Sequence, residues 1–97
     1  MSLNELKMDC HIVVMIPAFN EEASIENVIK TIPRKFARKV EVIVIDDGST
    51  DSTRLVAQKS GADKIISHNI NRGLGNSFRT GIDAALSMGA DIIVNID

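Results

Sequence analysis

The stretch Val40-Glu41-Val42-Ile43-Val44-Ile45, running directly into Asp46-Asp47-Gly48-Ser49-Thr50-Asp51, decides the fold. The first part is rich in β-branched side chains and specifies a strand; the acidic, glycine-centred part specifies the turn that ends it. Ser52 to Ser60 then reads as a helix, capped by Thr50 or Asp51 and stopped by Gly61. Strand, acidic turn and helix in that order make one unit of an α/β layer structure.

The unit recurs on both sides. Upstream, His11-Ile12-Val13-Val14-Met15-Ile16 is apolar on both faces and stops at Pro17, as a strand inside a parallel sheet does. Ile25, Val28, Ile29 and Ile32 follow at i, i+3, i+4, i+7 spacing, which is one face of a helix. Asn20 is its expected N-cap, Glu21 and Glu22 its first turn, and Pro33 its end. Downstream, Lys64 to Ser67 reads as a third strand. A third helix is expected from Gly75 to Met88, with Phe78, Ile82, Ala85 and Leu86 on one face and Gly89 as its stop. Asp91 to Ile96 reads as a fourth strand. The order β-α-β-α-β-α-β predicts a Rossmann-like three-layer αβα arrangement around a parallel four-stranded sheet with right-handed crossovers.

A chain of 97 residues is at most one small domain. Aromatic residues make up 3% of it, with no Trp or Tyr, and the net charge is −2. Both features exclude nucleic acid as the expected partner, since base stacking needs aromatic platforms and phosphate binding needs a basic surface. Cys10 is the single cysteine, which removes an intrachain disulfide and fits a reducing, cytoplasmic setting. No apolar run is long enough to span a bilayer, and no signal peptide is read. Residues 1–10 read as an N-terminal tail, beginning with a vector-like Met1-Ser2-Leu3, and residues 11–97 as the folded segment. Lys30, Arg34, Lys35, Arg38 and Lys39 form a basic cluster. It reads either as a solvated helix end or as a surface attracted to an anionic membrane face.

In an open parallel sheet, ligands bind beyond the carboxyl ends of the strands. Four segments meet there: Pro17-Ala18-Phe19-Asn20-Glu21-Glu22, Asp46 to Asp51, His68-Asn69-Ile70-Asn71-Arg72-Gly73-Leu74-Gly75, and Asp97. Turns favour Asp and Gly for purely local reasons, but adjacent carboxylates at this edge call for a partner: base N–H groups, ribose hydroxyls or a metal. Asp51 has an equally good reading as a helix-start carboxylate. Arg72, beside the start of the third helix, is placed to help hold a diphosphate, or is simply an exposed loop arginine. Gly73-Leu74-Gly75 lacks the third glycine of a dinucleotide fingerprint, because Phe78 stands there. His11, His68 and Cys10 receive no chemical role.

The segments Ile16-Pro17-Ala18-Phe19-Asn20-Glu21-Glu22, Val44-Ile45-Asp46-Asp47-Gly48-Ser49-Thr50-Asp51, Asn71-Arg72-Gly73-Leu74-Gly75 and Ile92-Ile93-Val94-Asn95-Ile96-Asp97 resemble the family-2 glycosyltransferases of GT-A fold. Within these they look most like the dolichyl-phosphate mannose synthase and polyprenyl-phosphate sugar transferase branch. The resemblance implies that Pro17, Ala18, Asn20 and Glu21 line a nucleotide-sugar pocket. Asp46 or Asp47 would lie near the base and ribose, and Arg72 and Gly73 near the nucleotide and its phosphates. It also implies that Asp97 is the first aspartate of an Asp-x-Asp element holding Mg²⁺ or Mn²⁺. The donor would be GDP- or UDP-linked and the acceptor a polyprenyl phosphate, reached with inversion at the anomeric carbon, with the intact enzyme at the cytoplasmic face of a membrane.

Two positions depart from the pattern. Leu74 stands where relatives often carry Lys, and the sequence ends at Asp97, before the second aspartate, the acceptor half and the catalytic base. The expectation is therefore the N-terminal, nucleotide-sugar-binding part of the enzyme, with no catalytic residue of its own and inactive alone. It is also expected to dimerise through the open edge of strand four. The alternatives are a nucleotidyltransferase-like domain, disfavoured by Pro17-Ala18-Phe19-Asn20 where a basic glycine-rich turn belongs, and a non-catalytic α/β interaction module.

Overall fold

The computed structural model describes residues 8–96. In chain order these form β1 (Met8–Ala18), α1 (Ile25–Thr31), β2 (Ala37–Asp46), α2 (Thr53–Lys59), β3 (Lys64–Ser67), α3 (Leu74–Ser87) and β4 (Ile92–Asn95). The sheet has the order β3-β2-β1-β4, and every pairing is parallel. β4 returns to the free side of β1, so the strand order reverses between β3 and β4.

Side-chain alternation along the two central strands builds a core on each face of the sheet. Ile12, Val14, Ile16 and Ala18 of β1, with Val42 and Val44 of β2, pack with Ile25 and Ile29 of α1 and Ala57 of α2. Val13, Met15, Ile43 and Ile45 point the other way and meet Ala85 of α3. Two helices on one face and one on the other give the three-layer αβα arrangement.

Three local readings need correction. β1 begins at Met8 and so includes residues 8–10, which were expected to be tail; the remainder of that tail lies outside the described residues. α1 begins after Ser24, not after Asn20. Asn20 has φ of 51° and uses its side chain to reach the next loop, so Glu21 and Glu22 precede the helix. On α3, Ser77, Gly81 and Ala85 form the buried stripe, while Phe78 and Leu86 are exposed. The cause is close approach. A Cβ on Gly81 would stand 2.7 Å from Met15 Sδ and 3.0 Å from Ile45 Cδ1, so α3 crosses the sheet here in direct contact with the ends of these two side chains.

The basic cluster is largely neutralised within the fold. Arg34 pairs with Asp63 at 2.8 Å, Arg38 with Asp9 at 3.3 Å, Lys39 with Glu41 at 3.5 Å and Lys30 with Glu26 at 3.7 Å. This favours the solvated reading over a membrane surface. Among the described residues no helix is long and apolar enough to cross a membrane.

Candidate functional site

The carboxyl ends of the central strands finish in one row, with Ala18 of β1 opposite Asp46 of β2 and Asp46 opposite Ser67 of β3. Hydrogen bonds from Asp47 N to Ala18 O and from His68 N to Asp46 O carry the pairing one step further. The loops after β1, β2 and β3 therefore leave the sheet side by side.

The first two loops are stitched together reciprocally. Asn20 N donates to Ser49 Oγ at 2.9 Å, and Thr50 N donates to Asn20 Oδ1 at 2.8 Å. Ser52 N donates to Glu22 Oε2 at 2.8 Å, while Glu22 N donates to Asp51 Oδ2 at 3.3 Å. The N-cap of α2 is Ser52, not Thr50 or Asp51; Asp51, one residue ahead, accepts the Thr53 N–H and hydroxyl and so serves the first amide of the helix. Burial acts against its charged form, but the Thr53 hydroxyl and N–H and the Glu22 N–H outweigh it and hold the carboxyl below its ordinary value.

The third loop hangs on Asp47, whose side chain is 6% exposed. Its Oδ1 accepts Arg72 N at 2.8 Å and faces His68 Nδ1 at 2.8 Å, and its Oδ2 accepts Gly73 N at 2.9 Å. His68, also buried, places its Nε2 2.9 Å from Thr80 Oγ1 on α3. Burial alone would raise the Asp47 pKa, yet the Arg72 N–H, the His68 imidazole and the Gly73 N–H together bring it below the ordinary carboxylate value.

Glycine is required twice here. Gly48 has φ of +75°, and a Cβ on it would lie 2.5 Å from Asn71 N and 2.6 Å from Ile70 C, because the third loop rests on its backbone. Gly73, which precedes α3, has φ of 93° and ψ of 161°, a region that side chains essentially exclude.

Between β1 and the start of α3 these loops leave a cleft of about 440 Å³ lined by Pro17, Ala18, Phe19, Glu21, Asp47, Asn71, Gly73, Leu74 and Ser77. That volume suits a nucleoside-sized ligand. Of the residues expected from sequence, Pro17, Ala18, Glu21, Asp47 and Gly73 line it. Asn20 braces the second loop instead. Asp46 is buried and accepts Ser49 N at 3.1 Å, and the exposed Arg72 contributes its backbone N–H to Asp47. Asp97 lies outside the described residues. Phe19, Asn71 and Ser77 line the cleft as well, together with Leu74, which departs from the family pattern, and His68 braces it from behind.

The model of "Glycosyl transferase family 2" matches residues 13–97. The chain belongs to this family. It is 31% identical over 102 residues to the UDP-N-acetylglucosamine–dolichyl-phosphate N-acetylglucosaminyltransferase of Methanococcus voltae, covering 89% of the chain and 40% of that enzyme. Among solved structures, glucosyl-3-phosphoglycerate synthase of Mycobacterium tuberculosis, in complex with Mn²⁺, UDP-glucose and phosphoglyceric acid, superposes with a TM-score of 0.75 at 33% identity. That match covers 100% of the chain and 37% of the synthase. The mannosyltransferase of Pyrobaculum calidifontis in complex with GDP-mannose and Mn²⁺ gives a TM-score of 0.71 at 26% identity, over 79% of the chain and 25% of that protein. The chain spans less than half the length of each.

Proposed function

We propose that this chain forms the nucleotide-sugar-binding part of an inverting, metal-dependent glycosyltransferase that passes a sugar from a GDP- or UDP-linked donor to an acceptor such as a polyprenyl phosphate. The observation that carries the reading is the cleft between Pro17-Ala18-Phe19 and Gly73-Leu74, at the ligand-binding edge of a sheet of this family. Phe19 and Leu74 offer apolar walls to a flat base, and Asp47 and Asn71 offer polar edges. The dolichyl-phosphate acceptor in the name of the Methanococcus relative supports the acceptor class.

Charge supports the metal. Glu21 and Asp47 line the cleft, so a diphosphate arriving there meets like charge, and the proposed compensating cation is Arg72, between the lining residues Asn71 and Gly73. Among the described residues no three His, Cys, Asp or Glu side chains converge on a metal position. The proposed protein ligand is Asp97, with diphosphate oxygens and water completing a hard-cation shell. When bound, Mg²⁺ or Mn²⁺ would neutralise charge developing on the leaving diphosphate. The residues of the chain itself bind and orient the donor: the loop after β1 and the start of α3 enclose the base, and Arg72 faces the phosphates. The sugar is then presented for attack from the side opposite the diphosphate, which is what inversion requires.

β4 stands at the edge of the sheet with Ile92 and Val94 exposed, and its proposed partner is the same strand of a second copy. For the main proposal, the test is titration of the ¹⁵N-labelled chain with UDP, GDP and their sugars, with and without Mn²⁺. Shifts at residues 17–21 and 71–77, strengthened by Mn²⁺, are expected for one base. No shift with any nucleotide would refute the reading.

A further inference from the structure

We propose that Ser77 is a recognition residue of this cleft, its hydroxyl exchanging a hydrogen bond with the edge of the donor nucleobase; the inference rests on the nucleotide-binding reading above. Ser77 lies in the first turn of α3, lines the cleft and is 1% exposed, and its Oγ has no hydrogen-bond partner. A buried hydroxyl rarely stays unpaired, and serines on helices usually return the hydrogen bond to a carbonyl one turn back. Two other serines in this chain do so: Ser60 Oγ donates to Val56 O at 2.6 Å, and Ser87 Oγ donates to Ala84 O at 2.9 Å. At Ser77 the carbonyl one turn back, Gly73 O, accepts the Ser77 N–H at 3.1 Å and receives nothing from the hydroxyl.

The chemistry of the cleft selects the base over the other parts of the donor. Asp47 shares the cleft with Ser77, and its carboxylate is held ionised by three donors, so a diphosphate beside Ser77 would meet a buried like charge. A neutral flat ring has no such conflict and fits between the apolar walls of Phe19 and Leu74. A hydroxyl both donates and accepts, so Ser77 can serve a carbonyl or a ring N–H at the base edge.

The experiment compares the wild-type 97-residue chain with Ser77→Ala in Mn²⁺, titrating UDP, GDP, the corresponding nucleosides and pyrophosphate, with thermal unfolding of both proteins. Ser77→Ala is expected to weaken the preferred nucleotide and its nucleoside by the same factor, about three- to tenfold, and to leave pyrophosphate unchanged. Its melting temperature should equal or exceed that of wild type, because an unpaired buried hydroxyl has been removed. Unchanged nucleotide affinity in Ser77→Ala would overturn the inference while leaving the cleft assignment intact. So would a loss confined to pyrophosphate, or a drop in melting temperature accompanying the loss of affinity. A wild-type chain that binds no nucleotide would overturn both.

Discussion

Replacing Asp47 by Asn removes one negative charge and turns one acceptor oxygen into a donor, with almost no change in volume. In the native fold that carboxylate serves three donors: Arg72 N, Gly73 N and His68 Nδ1. The amide oxygen can keep the Arg72 and His68 bonds, but as neutral ones, and the amide nitrogen then faces the Gly73 N–H. Gly73 N retains one alternative acceptor, Asn71 Oδ1 at 3.0 Å. Two charge-assisted bonds reduced to neutral strength and one turned into a donor–donor contact amount to about 2–4 kcal/mol. In urea that is a midpoint shift of roughly 1–3 M. The sign with pH follows from linkage. The folded-state pKa of Asp47 lies below its unfolded value, so its contribution is complete above the ordinary carboxylate pKa and disappears as pH falls through the folded one. Wild type and Asp47→Asn should therefore differ fully at neutral pH and converge below about pH 4. Urea unfolding followed by circular dichroism at neutral and acid pH makes the measurement. Coincident midpoints at pH 7, or a gap that persists unchanged in acid, would refute the reasoning.

Gly48→Ala places a methyl group within 2.6 Å of the backbone at Ile70 and Asn71 and forces a positive φ on alanine. A loss of about 3–5 kcal/mol is expected in the same urea assay, and a loss below about 1 kcal/mol would show that the third loop does not rest on Gly48. For the β4 edge, light scattering on a size-exclusion column should give a mass that rises with concentration toward twice 10.6 kDa. A charged residue at Val94, exposed on that strand, should restore the monomer, and a monomer already present at high concentration in wild type would exclude the pairing.

The parallel sheet could be read from sequence because strands apolar on both faces and periodic helices carry their own signal. His11 to Ile16 and Val40 to Ile45 are buried on both faces and leave no other class of sheet open. What could not be read depends on how closely elements approach. Nothing in the spacing of α3 says that Phe78 turns outward; that follows from Gly81 lying against Met15 and Ile45, a contact made across the whole chain. Likewise His68 looked idle because its partners, Asp47 and Thr80, sit 21 residues before it and 12 after it. Asn20 looked like a cap because Asn commonly is one, and its bond to Thr50 could be found only once β1 and β2 were side by side.

The acidic groups at the sheet edge carry one further consequence. Sequence suggests that clustered carboxylates await a ligand, yet Asp47, Asp51 and Glu22 are all engaged by backbone N–H groups of neighbouring loops. Their first task is to hold three loops in register, and the ligand meets the surface that results. Substitutions at Asp47 should therefore lower stability and nucleotide affinity together, since a loosened loop no longer presents Asn71, Gly73 and Leu74 to the cleft. The Ser77 hydroxyl makes no hydrogen bond within the fold, so its removal should cost affinity alone. Plotting the change in affinity against the change in urea midpoint for Asp47→Asn and Ser77→Ala separates the two roles. If both variants fell on one line through wild type, the carboxylate and the hydroxyl would be acting in the same way, and the division between a frame built of acids and a contact made by Ser77 would be wrong.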